Sequence, residues 1–128
     1  SLAFEGEFDF VDHGAISEES VDYPDFAEQV AGDVVWKPNS LGILICGTGI
    51  GMCIAANKIK GIRAAHVADV QSAKLSREHN DANILCIGSR ITEEKTALEI
   101  VRTWLTTPYS KDPRHDRRIW KISKLESK

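Results

Sequence analysis

The chain has 128 residues, a formal net charge of -3 and 42% hydrophobic residues, proportions that suit one domain around one buried core. Its balance is slightly acidic, with Lys and Arg gathered towards the C-terminus and no basic stripe interleaved with aromatics, which argues against a nucleic-acid partner. No apolar run reaches the roughly 18 residues of a membrane span and no charged and apolar leader opens the chain, so a cytoplasmic protein with no membrane partner is expected.

Short β-like runs alternate with longer helical ones, the signature of βαβ units in a parallel sheet. FDFVD (8–12) is the first candidate strand, and Asp25 to Trp36 follows as a helix with Pro24 near its first turn. LGILIC (41–46) reads as a buried strand, and a glycine turn then opens into a helix from Met52 to Ile59. IRAAHV (62–67) is a strand, Asp69 to Glu78 a helix, and ILCIG (84–88) a strand. Thr92 is the expected N-cap of a helix reaching Leu105, with Glu93 and Glu94 at its positive end. Ala97, Ile100, Val101, Trp104 and Leu105 form its apolar stripe, and Pro108 follows it. Asp112 caps a last helix through Leu125, with Pro113 at its first position. The fold class that follows is α/β, a doubly wound, Rossmann-like parallel sheet flanked by helices. No repeat, linker or low-complexity segment divides it, so residues 1–128 are expected to form one domain.

The run LGILICGTGIGMCIAANK (41–58) carries the strongest chemical signal. A strand there delivers Cys46 to backbone N–H groups at a helix start, where anions are favoured and a thiol gains thiolate character. Cysteine is also among the most buried residue types, so a structural role competes with that of a base or nucleophile. Gly47, Gly49 and Gly51 allow close approach of backbone to a ligand. The dinucleotide pattern GxGxxG is not met, because Met52 stands where its third glycine belongs. Cys46, Cys53 and Cys86 are odd in number and match no common zinc spacing, so neither disulfides nor a metal site is expected. Cys53 and Cys86 read as small core residues.

Further along, REHNDAN (77–83) sets His79 between a helix end and a strand. His79 could close that helix through its terminal carbonyls or act as a general acid and base. Arg114 and Arg118 fall four apart near a helix start, where they could clamp a phosphate or form a solvated face. His13 and His66 earn no functional role from spacing.

The segments DYPDFAEQVA, GILICGTGIGMCIAANKIKGIRAA, REHNDANIL with GSR, and RHDRR resemble, in order, the motifs of the type B ribose-5-phosphate isomerases, a family shared with galactose-6-phosphate isomerase. The resemblance runs from Phe8 to Trp120. It implies a cofactor-free and metal-free aldose–ketose isomerase of the pentose phosphate pathway, acting on a sugar phosphate through an enediolate. Cys46 matches the family's catalytic base, and Thr48 would orient the base or the substrate. Backbone amides from Gly47 through Gly49 and Ile50 to Gly51 would hold the enediolate oxyanion. His79 matches the histidine that opens the furanose ring, with Asn80 beside it on the substrate. Arg114 and Arg118 match the phosphate-binding pair, His115 lies next to them, and Arg90 of the GSR motif is a further substrate contact. The family's sites lie between subunits, which implies a homodimer or a dimer of dimers whose His79 and arginines serve the partner's Cys46.

One departure accompanies these matches. The family opens with a strand and an Asp-His loop that touches the substrate, and the segment SLAFEGEFDF begins past both; Asp12-His13 is not that loop. A piece of 128 residues without them is expected to be unstable and poorly active. Two other functions compete with the isomerase: a phosphosugar- or nucleotide-binding module without catalysis, and a dehydrogenase using Asp69 for a ribose, which the missing glycine disfavours. Among substrates, CGTGIGMCIAANK and REHNDAN look more like the ribose 5-phosphate branch. A hexose 6-phosphate differs by one carbon, worth only about 1 to 3 kcal/mol of pocket fit.

Overall fold

The computed structural model describes residues 22–128. Three parallel strands, β1 (Gly42–Cys46), β2 (Ala64–His66) and β3 (Ile84–Gly88), form a sheet in the order β1-β3-β2. Five helices accompany them: α1 (Tyr23–Trp36), α2 (Ile50–Ala56), α3 (Val70–Asn80), α4 (Glu94–Thr106) and α5 (Pro113–Lys124). The expected strand FDFVD lies outside the described residues.

Every residue of β3 is buried, as the middle strand of a sheet covered on both faces must be. Strand alternation sends Ile84 and Cys86 to one face, where Leu44 joins them under Ala27, Ala31 and Val34 of α1 and Met52 and Ala56 of α2. Leu85 and Ile87 point the other way, into a second core with Val67, Ala73 of α3, and Ile100, Val101 and Trp104 of α4. Helices on both faces of a parallel sheet are the doubly wound architecture expected from the alternating pattern. The stripe of α4 is confirmed: Ile100, Val101 and Trp104 are buried, with Ala97 and Leu105 packed beside them. Arg77 of α3 lays its guanidinium 5.7 Å from the centre of the Trp104 ring, tying α3 to α4.

Several boundaries differ from the expected ones, each for a local reason. Thr92 does not cap α4; two turn bonds, from the Ile91 and Thr92 amides to the Gly88 carbonyl, tuck it into the core, and Glu93 takes the cap position. α2 starts at Ile50, two residues early, because Gly49 turns the chain in the left-handed region. It stops at Ala56 with Asn57 as its C-cap, the Asn57 side chain clamping β2 by accepting from the Ala64 N–H at 2.8 Å and donating to its carbonyl at 3.0 Å. His79 does not close α3. That helix ends on Asp81, at φ 46°, whose N–H bonds the Arg77 and Ser76 carbonyls. Asp69 caps the same helix, accepting from the Ser72 N–H at 2.7 Å. Asp112 caps α5 as expected, accepting from the Arg114 N–H at 2.8 Å. No helix of the described residues is long and apolar enough to cross a membrane.

Candidate active site

Cys46 closes β1, and pairing with the middle strand continues past it. Ser89 donates its backbone N–H to the Cys46 carbonyl at 2.8 Å, and Arg90 donates to the Gly47 carbonyl at 2.9 Å. With the backbone fixed there, the chain turns through Thr48 and Gly49 into α2. Gly49 stands at φ 79°, and the turn aims its N–H at the Cys46 sulfur, 3.1 Å away. Cys46 is half-buried, so the strand has carried a thiol to the carboxyl edge of the sheet without enclosing the residue fully.

The neighbours of the turn are as constrained as the turn itself. Thr48 accepts from the Ile50 N–H through its hydroxyl, at 3.3 Å, so the Ile50 amide is engaged within the turn. The Arg90 side chain crosses the turn, with Nε 3.3 Å from where a Cβ on Gly47 would sit. A Cβ on Gly51 would stand 2.5 Å from the Tyr23 ring, so α1 and α2 meet there only because residue 51 has no side chain. His66, at the end of β2, places Nε2 2.7 Å from the Thr48 carbonyl oxygen. Spacing gave this histidine no role. Its signal lay in the parallel register: His66 and Leu44 both pair with Cys86, which sets His66 level with a residue two before Cys46.

The other two cysteines lie close by. Cys53 is half-buried and packed against the first core, and Cys86 is buried within it, in keeping with small core residues. The hydrogen bond with Cys86 draws the Cys53 thiol down to about 7; burial opposes this and the His66 backbone assists it. The Cys86 thiol is pushed up by the same hydrogen bond and by burial.

A second group of expected site residues gathers elsewhere. α3 leaves the carboxyl edge of the sheet after β2 and runs back for eleven residues, about 16 Å, so it delivers His79 and Asn80 to the amino edge. Arg63, just ahead of β2, marks that edge by donating from Nε to the Asn80 carbonyl at 3.0 Å. The His79 ring stacks on His115 of α5, with centroids 4.3 Å apart and planes 21° from parallel. His115 is buried, and its pKa is lowered, first by burial and then by the charges of His79, Arg114 and Arg118. Arg114 and Arg118 project from the exposed part of the same helix, Arg114 reaching back to Asp112 at 3.8 Å.

The structure therefore brings Cys46, Gly47, Thr48, Gly49, Ile50, Gly51 and Arg90 together at one edge, and His79, Asn80, Arg114 and Arg118 at the other. Within one chain it does not join the two groups. The first offers a sulfur facing an amide, beside a guanidinium. The second offers an imidazole and two cations suited to a phosphate.

The chain resembles known proteins along nearly its whole length. The family described as Ribose/Galactose Isomerase matches residues 2–122. The chain is 51% identical over 128 residues to a putative sugar phosphate isomerase of Bacillus subtilis, covering 99% of this chain and 85% of that protein. It is 46% identical to ribose-5-phosphate isomerase B of Escherichia coli, covering 92% of this chain and 78% of that one. Among solved structures, ribose-5-phosphate isomerase B from Mycoplasma genitalium with bound ribulose-5-phosphate superposes with a TM-score of 0.89 at 44% identity, covering 95% of this chain and 81% of that one.

Proposed function

The chain belongs to the ribose/galactose isomerase family and is an isomerase interconverting ribose 5-phosphate and ribulose 5-phosphate; we propose that Cys46 is the base that moves the proton between C1 and C2. In the aldose-to-ketose direction the sulfur takes the proton from C2 as the C1 carbonyl becomes an enediolate oxygen. The sulfur then returns that proton to C1, while the hydroxyl proton moves from O2 to O1 and the carbonyl re-forms at C2. Such a step needs a base of moderate strength and donors facing the developing negative oxygen. The observation that carries the assignment is the Gly49 N–H aimed at the Cys46 sulfur at 3.1 Å, which fixes the sulfur at the glycine turn, beside backbone donors suited to a developing negative oxygen. Thr48 and the amides of Gly47 and Gly51 complete the cradle for the enediolate, while the Ile50 amide, expected among those donors, holds the Thr48 hydroxyl in place.

The remaining roles fall to the opposite edge of the sheet. His79 opens the furanose by carrying the proton of the C1 hydroxyl to the ring oxygen as the ring bond to C1 breaks and the C1 carbonyl forms, with Asn80 beside it, while Arg114 and Arg118 hold the phosphate. Arg90 serves from the Cys46 side. The separation of the two groups across the sheet supports a homodimer, or a pair of dimers, in which the His79 group of one copy faces the Cys46 of another. Residues 1–128 then act as one domain. A cytoplasmic setting suits three cysteines that are all free thiols.

Cys46→Ser tests the base directly. Turnover of ribose 5-phosphate is expected to fall by roughly a thousandfold or more, while ribulose 5-phosphate still binds in a calorimetric titration. Unchanged turnover in that variant would remove Cys46 from the chemistry.

A further inference from the structure

His66 stands on the Cys46 side of the sheet, and the reaction so far gives it nothing to do. Its Nε2 lies 2.7 Å from the Thr48 carbonyl oxygen. A carbonyl only accepts, so Nε2 carries the hydrogen, in the neutral ring and in the imidazolium alike. The Thr48 carbonyl belongs to the same peptide unit as the Gly49 N–H, and that N–H is the one 3.1 Å from the Cys46 sulfur. In a planar trans peptide the C=O and the N–H point in opposite directions, so His66 and Cys46 sit at the two ends of one dipole.

The geometry points to His66 as a positioning residue that fixes the plane of the Thr48–Gly49 peptide and strengthens its N–H towards the Cys46 sulfur. A donor on the carbonyl polarises the unit and makes its N–H a better donor, as in any chain of hydrogen bonds. The ring is seated for this task. A Cβ on residue 49 would lie 2.9 Å from His66 Cδ2, so only glycine leaves the ring room against the turn. Other polar groups around the turn are engaged differently: Arg90 crosses Gly47, the Cys53 thiol donates to the Ala64 carbonyl at 3.5 Å, and Asp69 holds the Ser72 N–H.

The inference rests on Cys46 as the base, and its test reads the sulfur apart from turnover. Wild-type protein, His66→Leu and His66→Gln are treated with iodoacetamide across a pH series, and peptide mass spectrometry separates Cys46 from Cys53 and Cys86. His66→Leu is expected to slow Cys46 alkylation at neutral pH about three- to tenfold, the worth of one lost hydrogen bond, and to move its pH profile upwards. The turnover number should fall by a similar factor with KM little changed. His66→Gln, whose amide reaches the position of the ring Nε2, should restore most of both, while Cys53 alkylation stays constant. A wild-type Cys46 rate in His66→Leu, or a Gln variant no better than Leu, overturns the proposal. If Cys46→Ser keeps its turnover, the assignment of the base fails instead, and the alkylation rates still report on the relay.

Discussion

Gly49 is held by three requirements at one position. Its φ of 79° is a conformation L side chains rarely adopt, its N–H must face the Cys46 sulfur, and a Cβ would lie 2.9 Å from both His66 Cδ2 and the Ile87 carbonyl carbon. Gly49→Ala is therefore expected to destabilise the fold by about 1 to 3 kcal/mol, visible in a urea midpoint. It should also lower the turnover number by about tenfold or more, because relief of the clash swings the amide off the sulfur. A variant with wild-type turnover would show that this amide does not support the base. At this scale Cys46 was legible in the sequence because residue type, strand and glycine turn coincide within a few positions. His66 was not, since its role depends on parallel register with strands distant in sequence, and a lone histidine ending a strand carries no mark of that.

At the scale of elements, α5 and α3 meet through the His79 and His115 rings, and this contact links acidity to stability. Burial is the first cause of the lowered His115 pKa, with His79, Arg114 and Arg118 adding to it. The folded state thus binds this proton less readily than the unfolded chain, whose imidazole titrates near its ordinary 6.5. Stability contributed by the neutral ring is complete above that value and is lost as pH falls through the lower folded one. Melting temperature is expected to decline as pH drops below about 6.5, and His115→Phe, which keeps the stack and cannot be protonated, should flatten that decline. Equal slopes in the two proteins would count against it. Helices and strands themselves were readable from periodicity, because a sheet covered on both faces demands the apolar runs seen in β1 and β3. What escaped were ends set by single side chains: Asn57 clamping β2, Asp81 turning left-handed after α3, and Thr92 drawn inwards by bonds to Gly88.

For the whole molecule, the separation of the two residue groups decides how the site is assembled. Cys46 lies where β1 ends, and His79 lies one full helix away at the edge where the strands begin. A ribose 5-phosphate bound at Cys46 would have to span the length of α3, about 16 Å, to meet the His79 of its own chain. If the missing group comes from a second copy, two variants that are each inactive should repair one another. In a mixed dimer of Cys46→Ser with His79→Asn, one site receives both lesions and the other receives an intact cysteine from one chain and an intact histidine from its partner. Equal amounts, unfolded and refolded together, would pair at random and place half the dimers in the mixed form. Activity is therefore expected to return to about a quarter of wild type, against almost none for either variant refolded alone. Sites built within single chains would gain nothing from mixing, so an inactive mixture whose mixed dimers are confirmed by native mass spectrometry would refute the shared site.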